Sequence, residues 1–133
     1  MLRFAQFVVA LAGCYLLALG TTALVRPAHA KRFLEAHAST ARAHFIELAL
    51  RLLVGGALLV AAPHMPGVAV VRAAGWVLVG TTLLLAVTPW RVHHRFAAWA
   101  VPLATRQMAL LGVGALIGGV VVLGALIRGA RGA

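Results

Sequence analysis

The sequence predicts an all-α, polytopic membrane protein with four transmembrane helices, and three observations carry that reading. Of 133 residues, 63% are hydrophobic and 11% charged, whereas a soluble domain is about 45–50% apolar and about a quarter charged. The apolar residues gather into four runs, each near the roughly 20 residues needed to cross a bilayer core about 30 Å thick. The basic residues, twelve Lys and Arg against two acids, interrupt those runs instead of covering a wettable surface. A soluble enzyme and a soluble nucleic-acid binder are thereby excluded. Disorder is excluded as well, because disordered chains are poor in apolar residues.

The first run, residues 4–25, is broken by Gln6, Cys14, Tyr15 and the Thr21-Thr22 pair. The second, residues 45–62, contains Glu47 and Arg51. The third, residues 73–88, is the shortest. It reaches a full span if Val68, Ala69, Val70 and Val71 join it and Arg72 snorkels to the headgroups. The fourth, residues 107–127, carries no charge. All four are expected as helices, since lipid leaves backbone amides no partner outside a helix or closed barrel, and the period-two alternation of a barrel is absent.

Two segments imitate processing signals. Leu11-Ala12-Gly13-Cys14 resembles a lipobox, but Tyr15-Leu16-Leu17 continues the apolar run where a polar tether belongs. Ala28-His29-Ala30 has the form of a cleavage site, but the run before it exceeds a signal h-region of about 7–15 residues. A retained first helix is the expectation, with lipidation of Cys14 left open.

The connections 26–44 and 89–106 are basic. They hold Arg26, Lys31, Arg32 and Arg42 in one and Arg91, Arg95 and Arg106 in the other, with Glu35 the one opposing acid. The tails and middle connection hold Arg3, Arg72, Arg128 and Arg131. The positive-inside rule favours cytoplasmic long loops and external termini in a bacterial inner membrane.

The chain also reads as one membrane domain of two duplicated halves, about 4–62 and 68–127. Ala12-Gly13, Gly20-Thr21-Thr22, Pro27 and Arg32-Phe33 are followed in the same order by Ala74-Gly75, Gly80-Thr81-Thr82, Pro89 and Arg95-Phe96. Val54-Gly55-Gly56-Ala57-Leu58 then parallels Val113-Gly114-Ala115-Leu116. Halves that each cross twice enter from the same side, as parallel repeats about the membrane normal do.

Pro27 and Pro89 each stop one helix and suit the first turn of the next. Val92, Phe96, Trp99 and Leu103 recur at helical spacing opposite Arg91, His94 and Arg95. Residues 28–41 repeat the pattern with Ala30, Phe33, Leu34 and Ala41 against Lys31, Arg32 and Glu35. Both read as helices in the headgroup plane, with Trp90 and Trp99 at interfacial depth. Lys31, Arg32, Phe33, Trp90, Arg91, Arg95, Phe96 and Trp99 thus form an interfacial basic and aromatic set, with the bilayer and its anionic lipids as expected partners.

Glu47 and Arg51 are an intramembrane pair four residues apart, in the favoured acid-before-base order. A self-paired charge turned into the bundle is one reading; a proton- or substrate-coupling carboxylate at Glu47 is another. Helix packing is assigned to Gly55, Gly56, Gly114, Ala115, Gly118 and Gly119, the last four forming overlapping small-xxx-small motifs that let backbones approach. The threonine pairs can bond carbonyls of their own helices and need no polar pore.

His29, His37, His44, His64, His93 and His94 do not pair at metal-ligand spacing within a helix, so no metal or haem is expected. Nor is any other cofactor. The chain has no aspartate, Ser39 is its one serine, and no Gly-rich phosphate loop or nucleophile elbow occurs. An enzyme is not expected.

Leu50-Arg51-Leu52-Leu53-Val54-Gly55-Gly56-Ala57-Leu58-Leu59-Val60-Ala61-Ala62-Pro63, with Gly75-Trp76 and Thr88-Pro89-Trp90-Arg91, resembles small four-helix bacterial inner-membrane proteins. Glu47 ahead of a Gly-rich helix is similar to DoxX-like membrane proteins. These resemblances imply architecture and location and no activity. Two functions are carried forward. One is a non-enzymatic assembly or accessory component, as a homo-oligomer or within a larger membrane complex. The other is a small transporter or permeation subunit using Glu47.

Overall fold

The protein is all-helical in its computed structural model, which describes residues 1–37 and 40–131. The side chains of His37, Ala41, Trp90, Arg91, His93, His94, Ala97, Val101 and Ala104 lie outside what it describes. Six helices run in order: α1 (Leu2–Val25), α2 (Pro27–His37), α3 (Ala41–Ala61), α4 (Val68–Val87), α5 (Trp90–Thr105) and α6 (Met108–Arg131). A 3-10 turn over Ala62–His64 follows α3. α1, α3, α4 and α6 are long and apolar enough to cross a membrane. The chain is a multi-pass membrane protein.

Local chemistry sets the breaks. Arg26 alone separates α1 from α2; its N–H donates to Thr22 O, and its own carbonyl accepts from His29 and Ala30. Pro27, which has no N–H to lose, opens α2 there. Thr40 caps α3, its hydroxyl accepting from the Ala43 N–H at 3.1 Å. Residues 28–41 are therefore not one helix, and Ala41 belongs to α3. Gly67, at φ 75°, makes the left-handed step into α4, a conformation that costs glycine nothing. α4 takes in Val68 to Val71 and carries an exposed Arg72, which gives the short third run its full span.

The long helices pair in a row, α6 against α1, α1 against α3, and α3 against α4. The two outer pairs are antiparallel and seated on glycine. A Cβ added at Gly20 would lie 2.7 Å from Gly112 O, and one at Gly119 3.0 Å from Gly13 O. Leu123 covers Gly13, and Leu17 covers Gly119. In the α3–α4 pair, a Cβ at Gly75 would lie 3.1 Å from Gly55 O; Leu59 covers Gly75, and Val79 covers Gly55. Gly13 and Gly75 are 62 residues apart, as are Leu17 and Val79, while Gly55 and Gly119 are 64 apart, as are Leu59 and Leu123. The contacts therefore match Gly55 with Gly119, whereas the sequence pattern alone matches Gly55 with Gly114.

The row is closed at one end. Ala5, Val8 and Val9 of α1 pack with Ala57 and Ala61 of α3 and with Met65, and Val71 of α4 and Val122 of α6 lie against them. At the other end, Ala23, Ala30 and Met108 join α1, α2 and α6, with Leu34 alongside. α4 and α6 form no interface comparable to the other pairs among the described residues.

Candidate functional site

Polar groups meet inside the membrane at the α3–α4 seam. Arg51 projects from α3 toward Thr81 and Thr82, and helix rise puts those threonines about 8–9 Å from the C-terminal end of α4. The Arg51 Nε–H donates to Thr82 Oγ1 at 3.1 Å, Nη2–H to Thr81 Oγ1 at 2.9 Å, and Nη1–H to Glu47 Oε1 at 3.4 Å. Each threonine hydroxyl spends its own proton within α4, Thr81 on Val77 O at 2.7 Å and Thr82 on Leu78 O at 2.6 Å. Its oxygen lone pairs are thereby left to accept from the guanidinium.

The site follows from the glycine contact beside it. Gly55 lies four residues beyond Arg51, and its close approach to Gly75 brings α4 near enough for the threonines to be reached. Thr82 is fully buried, while the Arg51 and Glu47 side chains are each 30% exposed. An arginine at mid-bilayer costs about 2.5–3.5 kcal/mol on insertion scales. Interhelical polar contacts in membranes contribute about 0.6 kcal/mol each, so three such bonds offset roughly 2 kcal/mol of it. The charge is largely compensated by its own chain.

Sequence reasoning found Glu47 and Arg51 and missed the threonines as their partners. The available signal was donor arithmetic: five guanidinium N–H groups exceed what one carboxylate four residues away can take. Thr21 and Thr22 show the contrast, bonding Leu17 O and Ala18 O within α1. Counted back along the 64-residue correspondence, Ala115 of α6 stands where α3 has Arg51, so that half has no cation to receive.

The glycine set divides. Gly55 and Gly119 sit in tight helix contacts; Gly56 and Gly114 have open space where a Cβ would stand, and Gly118 makes one ordinary contact, 3.6 Å from Leu16. Ala115 is half-buried. The α6 contacts run through Gly112 and Gly119, seven residues apart, and they face α1 rather than α3. An antiparallel pair repeats its facing positions every two turns, so spacing by seven outweighed the motif spaced by four.

The basic and aromatic set spreads over α2 and α5. Lys31 lies 3.9 Å from Glu35, both half-exposed. Arg32 is exposed, and the Phe33 ring sits 6.4 Å from that of Tyr15, docking α2 against α1. On α5, Val92, Phe96, Trp99 and Leu103 all lie exposed along one stripe, and Arg95 is exposed too. Trp90 and Arg91 lie outside the described side chains. His44 is buried in the first turn of α3, and Cys14 is exposed on α1. Among the described residues, no three His, Cys, Asp or Glu come together as metal ligands.

Compared with protein-family models, with curated proteins and with solved structures, the chain matches none.

Proposed function

We propose that this multi-pass membrane protein is a non-enzymatic assembly or accessory component that joins copies of itself or a larger membrane complex. The supporting observation is the unclosed row: α1 packs against α3, while α4 and α6 keep no comparable interface. The helices at the two ends of the row carry Gly80 and Gly114, exposed and with room for a side chain. The site chemistry agrees, because Arg51 is spent on bracing α3 to α4.

Assembly is tested by size-exclusion chromatography with light scattering in detergent. Gly114→Leu and Gly80→Leu are expected to shift the protein to a smaller species without lowering its thermal stability. Gly118→Leu is a poorer probe, since a side chain there presses on Leu16 of α1. A monomer in the unmodified protein, with no co-purifying partner from native membranes, rejects the reading.

The partial exposure of Glu47 and Arg51 favours a second reading, a small permeation subunit with Glu47 in a wet cavity. Ion or substrate flux in proteoliposomes that survives Glu47→Gln rejects it. The finer placement belongs here as well: a bacterial inner membrane with the seven basic residues of the long connections on the cytoplasmic side, against four on the other. The repeated glycine contacts also support origin of the two halves by duplication.

A further inference from the structure

We infer that the wedge between α1 and α2 is a binding site for one acyl chain of an anionic phospholipid, with the headgroup held at Arg26 and Arg32. The inference rests on the chain being a membrane protein and stands apart from whether it assembles.

The wedge is a groove of about 280 Å³. Ala18, Leu19 and Thr22 line it from α1, and His29 and Phe33 from α2. Its vertex is Arg26, whose backbone joins both walls through three hydrogen bonds. Its far end is bounded by the tilted ring pair of Tyr15 and Phe33, 6.4 Å apart. Seven residues separate Tyr15 from Thr22, about 10 Å of helix. The groove thus runs from headgroup level at Arg26 toward mid-membrane at Tyr15, along the direction in which a lipid of that leaflet hangs.

The walls are almost wholly apolar. Thr22 turns its hydroxyl back to Ala18 O at 2.7 Å, so its proton is not offered to the groove. An acyl chain fits such walls, and a polar solute does not. Charge then selects the headgroup. Lys31 is partly neutralised by Glu35, whereas Arg26 and Arg32 are exposed and make no ion pair among the described residues. Basic residues near an anionic lipid surface contribute about fivefold in affinity apiece. Two of them distinguish phosphatidylglycerol from phosphatidylcholine by well over tenfold.

Native mass spectrometry of the full chain tests this, with dioleoyl phosphatidylglycerol and dioleoyl phosphatidylcholine supplied in equal amounts. One phosphatidylglycerol retained per chain, at least tenfold over phosphatidylcholine, is expected. Arg26→Gln with Arg32→Gln should bring the two lipids within about twofold of each other. Ala18→Phe, which fills the groove from an exposed position, should abolish retention of both. Equal retention of the two lipids by the unmodified protein overturns the site, as does undiminished retention in Ala18→Phe. If Ala18→Phe does not fold, Phe33→Ala replaces it: opening the far end should cut retention severalfold, and unchanged retention overturns the proposal. None of these readouts depends on oligomeric state, so failure of the assembly reading would be seen separately.

Discussion

Arg51 on α3 donates through Nε to the hydroxyl of Thr82 on α4 at 3.1 Å, so one hydrogen bond ties a charged side chain to the most buried polar group of the described chain. The bond crosses between helices joined by the Met65 turn, next to the glycine contact that brings their backbones together.

Thr82→Val should therefore destabilise the protein by about 1 kcal/mol, within the 0.6–1.7 kcal/mol range of interhelical polar contacts. Combined with Arg51→Met, the loss should be less than the sum of the two single changes. Reversible unfolding in mixed micelles measures the cycle. Strict additivity would show that the two groups do not interact.

Gly20→Ala and Gly114→Ala differ by one methyl group each and should act oppositely. The methyl at Gly20 meets Gly112 O at 2.7 Å, which is backbone and cannot rotate away, so α1 and α6 must separate at a cost of about 1–3 kcal/mol. The methyl at Gly114 meets open space and raises helix propensity, for a gain of up to about 1 kcal/mol. Melting temperatures of the two variants in one detergent decide the matter, and equal shifts would refute the packing described here.

Glu35→Gln should leave stability within about 0.5 kcal/mol of the unmodified protein, because its ion pair with Lys31 is long and solvent-exposed. A larger drop in thermal unfolding would mean that α2 depends on this pair and not on Ala30 and Leu34 against α1 and α6.

On α5, Phe96 and Trp99 should lie in lipid and Arg95 among headgroups. In a Cys14→Ser background, a membrane-impermeant maleimide should label Arg95→Cys at least tenfold faster than Phe96→Cys. Matching rates would place α5 free in water, where four exposed apolar side chains on one stripe have no cover.

Much of this architecture is legible one helix at a time. A run of some twenty apolar residues has to satisfy its backbone internally in lipid, so span number and helicity follow from hydropathy alone. Proline after the first and third runs marked where they stop, and the spacing of Glu47 and Arg51 put both on one face before any neighbour was considered. The glycines were legible as a composition and not as contacts. Gly114 and Gly118 have the familiar spacing, yet it is Gly112 and Gly119 that face α1.

What the residue order determines by itself is intrahelical: which segments cross the membrane, which lie at its surface, and which side chains share a face. Only the folded arrangement decided that Thr82 meets Arg51, that Gly55 meets Gly75, and that α4 and α6 stay apart. The reason is physical. Neighbouring lipid and neighbouring helix are equally apolar, so hydrophobicity does not choose between them. Which faces pair is set by how closely two backbones can approach, a property of the pair that neither strand of text contains alone.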